Sequence, residues 1–161
     1  MQETHRRIFG KVYPWAGELR KGIGIMAKNR SGFVVAYGPS ENVPGALATT
    51  FTALQAEDSL LNLDADALAR RMAYYHSELD AIHAFREGNS RTLRAFLSDL
   101  AQSVGYRLDW ALIAQTEEQR VRLYHARDLA VMRGDISELT QILNTCLIRP
   151  FQDSASMPPR A

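Results

Sequence analysis

The sequence predicts an all-α domain carrying one small β-hairpin, and three observations predict it. Apolar residues recur at helical spacing in two long stretches: Leu68, Met72, Tyr75, Leu79 and Ile82, then Leu93, Phe96, Leu97, Leu100 and Val104. Start and stop residues punctuate the chain at matching places, with Asp64 and Thr116 as N-caps and Gly105 and Gly134 as C-terminal stops. Only the stretch from Gly22 to Tyr37 alternates in the manner of strands, around the turn residues Lys28-Asn29-Arg30-Ser31-Gly32. The chain has 161 residues, 46% of them apolar and 23% charged, which suits one domain with a core of its own.

Taken in order, Gln2 to Phe9 reads as a short helix with no cap before it, so a segment upstream of Met1 stays open. Val12-Tyr13-Pro14-Trp15-Ala16-Gly17 is an aromatic turn in which Trp15 is expected to anchor the core. The hairpin follows, its strands placed at Gly22–Met26 and Phe33–Tyr37, and Gly38-Pro39-Ser40 closes it. Asn42 or Val43 before Pro44 starts a helix to about Glu57. The Asp64-capped helix carries its apolar stripe to His83, leaving His76 at the surface or boundary and Glu78 and Asp80 on a solvated face. Asp109 and Thr116 are expected to cap two more helices, the second ending at Arg133, and Ile136 to Ile148 is the last. The domain is therefore placed at 1–149, with 150–161, polar and rich in proline, as a loose tail.

The chemistry gathers in His83-Ala84-Phe85-Arg86-Glu87-Gly88-Asn89-Ser90-Arg91-Thr92-Leu93-Arg94. Gly88 and Asn89 break the helix, Asn89 serving as N-cap, and a new helix starts at Ser90. The first N–H groups of that helix lack internal partners and the dipole is positive there, so the turn is a nest for phosphate oxygens. Arg91 and Arg94, three apart, project from one face of its first turn. Glu87 is placed to hold Mg²⁺, which favours few carboxylates together with substrate phosphates. His83 can accept a proton near neutral pH. A base, a metal carboxylate and an anion nest describe transfer of a phosphorus-centred group to a hydroxyl. The competing reading is a plain helix–loop–helix corner with exposed arginines and a structural histidine.

The same stretch resembles the Fic signature, H-P-F-x-[D/E]-G-N-G-R-x-x-R, at His83, Phe85, Glu87, Gly88, Asn89, Arg91 and Arg94. His5-Arg6-Arg7-Ile8-Phe9, Val12 to Arg20 and Gly105 to Trp110 are similar to further family pieces in the same order. The resemblance implies a helical Fic fold with a hairpin, the flap, over the active site. It implies transfer of AMP from Mg-ATP to a Tyr, Thr or Ser hydroxyl of a target protein. His83 would be the base and Phe85 a buried anchor, with Glu87 holding Mg²⁺. Arg86, Gly88, Asn89, Ser90 and Arg91 would surround the nucleotide, and Arg94 would grip the γ-phosphate. Ile23, Ile25, Phe33 and Val35 would register the target by main-chain pairing, with Lys28 near the flap tip against nucleotide or target.

Two positions depart from the signature. Ala84 stands for Pro, which stiffens a turn without adding a chemical group. Ser90 stands for the second Gly; as the first helical residue it has an ordinary φ and its hydroxyl adds an anion donor. Related kinase-like members carry Lys there, so a Fic-like kinase, another phospho-group transfer and a weakened binding module all stay open. The family's inhibitory pattern, [S/T]-x-x-x-E-[G/N], occurs at no Glu of this sequence. Either a segment upstream of Met1 or a separate antitoxin would then supply that Glu; the resemblance favours the second, a short bacterial toxin restrained by a helical antitoxin whose Glu meets Arg94, with a type II DNA topoisomerase subunit as target.

Nineteen basic against 18 acidic residues leave a net charge of +1, which gives no reason to expect nucleic acid or an anionic membrane as a direct partner. The lone Cys146 rules out an internal disulfide, fits a reducing compartment such as a bacterial cytoplasm, and sits in an apolar helical run where packing is its expected use.

Overall fold

The computed structural model describes residues 1–30 and 33–149; the side chains of Arg30 and Phe33, the turn at 31–32 and the expected tail at 150–161 lie outside the described residues. Six helices carry the fold: α1 (Gln2–Phe9), α2 (Val43–Ala56), α3 (Ala65–Ile82), α4 (Asn89–Ser103), α5 (Glu117–Arg133) and α6 (Ser137–Cys146). Helix α3 is the hub, packed against α2, α4, α5 and α6. Its expected stripe explains this position: Leu68, Met72 and Tyr75 are fully buried and Leu79 nearly so. Asp64 starts the helix as its residue type suggests, its carboxylate accepting the Ala67 N–H at 2.8 Å. Thr116 and Gln119 form a reciprocal capping box at the start of α5, and Gly134, at φ 68°, ends it.

Strands β1 (Met26–Arg30) and β2 (Phe33–Tyr37) form the hairpin, antiparallel with Lys28 opposite Val35 and Met26 opposite Tyr37. The expected first strand is thus displaced. Ile23 and Ile25 precede it, and Lys28 lies within it rather than near the tip. Burial decides the register, because Val35 and Tyr37 are both buried and must face inward together while Val34 faces solvent. Lys28, opposite Val35, shares that inner face.

Near the C-terminus the expected final helix is shorter than its apolar pattern. It ends at Cys146, and β4 (Leu147–Ile148) pairs antiparallel with β3 (Arg107–Leu108) in a second, two-residue ladder. Asp109 caps a 3-10 turn, Trp110–Ile113, rather than a full helix, with its carboxylate accepting the Ala111 N–H. Cys146 is buried as expected, and that burial, with the charge of Asp109, pushes its thiol up to about 12. The folded protein should therefore resist iodoacetamide at neutral pH and be labelled once unfolded in urea; rapid labelling of the native form would contradict this packing.

Candidate functional site

Helix α3 ends at His83, which adopts a left-handed conformation (φ 48°, ψ 60°) as the C-terminal cap. Histidine is among the few non-glycine residues enriched there. This turn aims the following segment back toward α4, whose own N-cap is Gly88 at φ 80°. Helix α4 therefore begins at Asn89, one residue earlier than the sequence suggests. Asn89 does not cap it. Its side chain instead spans the loop, Oδ1 accepting the Phe85 N–H at 2.8 Å and Nδ2 donating to the Phe85 carbonyl at 2.7 Å. Phe85 is fully buried and stacks on His5, ring centroids 4.1 Å apart, which makes it the anchor expected of it.

The first intrahelical bond of α4 runs from Thr92 N–H to the Gly88 carbonyl. The amides of Asn89, Ser90 and Arg91 are accordingly the helix's orphan donors. Ser90 is an ordinary helical residue, absent from the non-glycine positions with positive φ, so a side chain there costs no backbone strain. The Gly88 amide is taken by the Glu87 carboxylate at 3.0 Å.

These groups line two cavities. One, of about 90 Å³, is bounded by Lys28, His83, Glu87, Gly88, Asn89 and Ser90, together with Arg91 and Arg127. The residues of the anion nest, the exposed Glu87 and the buried His83 all line this one space. The other, about 270 Å³, adjoins Ser90, Arg91 and Arg127 and adds Arg94, Arg120, His76, Trp110 and Tyr124. Arg91, Arg94 and Arg120 with two aromatic rings on one cavity suit a group that is polyanionic at one end and planar at the other. Arg86 lines neither cavity, its guanidinium lying 5.7 Å from the centre of the Trp15 ring.

His83 is only 3% exposed and stacks on Tyr37 at 3.9 Å, so its ring is fixed by the inner face of β2. Its backbone is fixed by Arg20. This buried side chain donates from Nε to the His83 carbonyl at 2.8 Å and from Nη2 to the carbonyls of Ile82 and, at the base of the hairpin, Gly38. Arg20 thereby ties the base of the hairpin to the turn at His83. Ile23 is tied down as well, its N–H and C=O exchanged with Ser40, which leaves that backbone unavailable to a target. Of the residues expected to register a target, Ile25 is exposed and Val35 is buried.

His5, read only as part of the opening helix, supports the loop from below. Its ring is fully buried; Nδ1 accepts the Gly17 N–H at 2.9 Å and Nε2 lies 3.1 Å from the Glu87 carbonyl. That pairing requires the neutral tautomer protonated at Nε2. Burial is the main reason its pKa is lowered, opposed by the Glu87 carbonyl bond and reinforced by the charge of Arg91. Because the unfolded chain holds the extra proton more readily, stability should be full above about pH 6.5 and fall as the pH drops from there toward the lowered folded value. Urea midpoints between pH 5 and 8 should show that slope, and His5→Asn should flatten it; an unchanged slope would contradict the assignment.

Two side chains expected at the periphery prove interior. His76 is 2% exposed and lines the larger cavity. Asp80, expected on a solvated face, is 1% exposed and forms a two-oxygen ion pair at 2.9 Å with Arg127 of α5. Arg127, which no local pattern marks, also donates from Nη1 to the Ser90 hydroxyl at 2.8 Å. Its only sequence signal is an arginine on a helix whose partners are 37 and 47 residues away. Among the described residues no group of three His, Cys, Asp or Glu could hold a metal, and no helix is long and apolar enough to cross a membrane. Glu87, a single carboxylate beside orphan amides, nevertheless fits Mg²⁺ that arrives with a phosphate ligand.

A profile of the Fic/DOC family matches residues 1–101. Protein adenylyltransferase VbhT of Bartonella schoenbuchensis is 37% identical over 145 residues, covering 87% of this chain and 29% of that protein. A relative from Salmonella typhimurium, named as a probable protein adenylyltransferase Fic, is 29% identical over 143 residues, covering 89% of this chain and 66% of the other. This chain thus spans less than a third of the first relative and about two thirds of the second. Among solved structures, BepC of Bartonella tribocorum with bound AMPPNP superposes with a TM-score of 0.80 at 21% identity, over 93% of this chain and 73% of that one. The N-terminal Fic domain of a VirB-translocated effector of Bartonella quintana, with bound ADP, gives 0.79 at 25% identity, over 92% and 71%.

Proposed function

The chain belongs to the Fic/DOC family, and from that premise we propose that residues 1–149 act as one domain that transfers AMP from ATP to a hydroxyl side chain of another protein. The observation that carries this reading is the convergence of His83, Glu87 and the open amides of α4 on one small cavity beside the arginine-lined one. Relatives named as protein adenylyltransferases support it.

In this reading the polyphosphate lies on the orphan amides of Asn89, Ser90 and Arg91, with Arg91 and Arg94 on its charged oxygens and the base toward Trp110 and Tyr124. His83 takes the proton of the target hydroxyl, whose oxygen bonds to the α-phosphorus as the bond to the β-phosphate oxygen breaks and pyrophosphate leaves. Glu87 would hold Mg²⁺, which when bound offsets phosphate charge. Lys28, on the inner face of β1, adds a positive charge on the flap side. Among the described residues β1 pairs with β2 alone, so its outer edge offers main-chain groups to an extended target segment.

The proposed restraint on such an enzyme is a helical antitoxin that places a Glu against Arg94; no Glu among residues 1–161 carries the inhibitory pattern. A bacterial cytoplasmic toxin acting on a type II DNA topoisomerase subunit is the specific form to test first. ATP labelled at the α-phosphorus should mark that subunit, and mass spectrometry should find one added AMP. Label moving only from the γ-position would instead identify a kinase, and no transfer with either would leave a binding module.

A further inference from the structure

Ser90 is where this chain departs from the glycine of the family signature, and the structure surrounds it with side chains the signature does not contain. Arg127 is 4% exposed and Asp80 1%. The carboxylate accepts Nη2 on both oxygens at 2.9 Å and Nε at 3.3 Å, which locks the guanidinium plane. The remaining Nη1 donates to Ser90 Oγ at 2.8 Å. An oxygen that accepts from a fixed donor has its own O–H turned elsewhere, and Ser90, Arg91 and Arg127 are the residues shared by the two cavities.

We propose that Asp80 and Arg127 are positioning residues that orient the Ser90 hydroxyl to donate to a non-bridging phosphate oxygen of the bound nucleotide. The chain thus replaces the family's glycine with an extra, directed donor at the edge of the anion nest. Arg127 acts through Ser90 rather than as another free cation, because its charge is balanced by Asp80. A hydroxyl free to rotate must be ordered when the nucleotide binds, whereas one held from behind is already aimed. The inference rests on the nucleotide-binding reading of the site and extends it to residues outside the signature.

The test is a double-mutant cycle on the full chain, reading Mg-ATP and adenosine affinity by calorimetry. One arm is Ser90→Ala. The other is the paired change Asp80→Asn with Arg127→Met, which keeps the net charge of the pair and leaves no buried carboxylate alone. Each arm should weaken Mg-ATP binding by about tenfold, the two together should weaken it no further, and adenosine binding should not move. If the paired variant does not fold, Arg127→Lys serves as that arm, since it keeps a cation beside Asp80 without the planar fork that fixes the direction of the donor to Ser90. Equal Mg-ATP affinity for Ser90→Ala and the unchanged protein, or additive losses in the cycle, would overturn the relay while leaving nucleotide binding intact. A wild-type chain that binds no Mg-ATP would overturn the nucleotide site itself, and the relay with it.

Discussion

Removing the His83 imidazole is expected to suppress AMP transfer by roughly 10²–10⁴-fold while ATP binding persists, because a positioned general base contributes about that much to proton transfer. The choice of replacement matters. His83 sits at φ 48°, a region histidine and asparagine adopt more readily than alanine, and its ring fills space against Tyr37. His83→Ala therefore mixes lost chemistry with a loosened turn. His83→Asn suits the left-handed backbone and keeps a polar group of moderate size, so its loss of activity reports on the proton with less disturbance of the turn. The paired measurement is transfer of label from α-labelled ATP alongside calorimetric ATP affinity. Retention of wild-type transfer in His83→Asn would remove histidine from the mechanism. Loss of ATP binding in that variant would assign His83 to the loop's architecture instead.

The second large effect is expected at Gly88. Its φ of 80° is left-handed, and a Cβ built there would lie 2.5 and 2.7 Å from two ring carbons of Phe9. Neither neighbour yields easily: Phe9 is 2% exposed, its ring packed on His5 and Tyr13, and the Arg91 guanidinium lies over it at 4.6 Å. Gly88→Ala should cost about 2–5 kcal/mol, the sum of backbone strain and overpacking. It should also displace the amides that follow and reduce nucleotide affinity. Gly45, inside α2 with nothing near an added Cβ, provides the control, since alanine there should stabilise by about 0.5–1 kcal/mol. Urea unfolding of both variants gives the comparison. A Gly88→Ala protein with unchanged midpoint and ATP affinity would show that the loop does not approach α1 as described.

The periodic stripes and the capping residues determined by themselves that this chain is helical, with one hairpin and with a polar turn between two long helices. Those features are local: a helix needs its apolar residues three and four apart, and a cap needs its acceptor within one turn. The residue types of the turn are likewise local, since His83, Glu87, Gly88, Arg91 and Arg94 fall within twelve consecutive residues, and it is their spacing that points to phosphate chemistry. Tertiary structure alone decided what holds the turn in place. It set the hairpin register through the burial of Val35 and Tyr37, moved Lys28 to the inner face, and drew Arg86 away onto Trp15. It also brought His5, Arg20, Asp80 and Arg127 against backbone or side-chain groups far along the chain. A buried charge is stable only where a partner meets it, and the partners of Asp80 and Arg127 lie on another element, so no window of sequence could show that these two face inward.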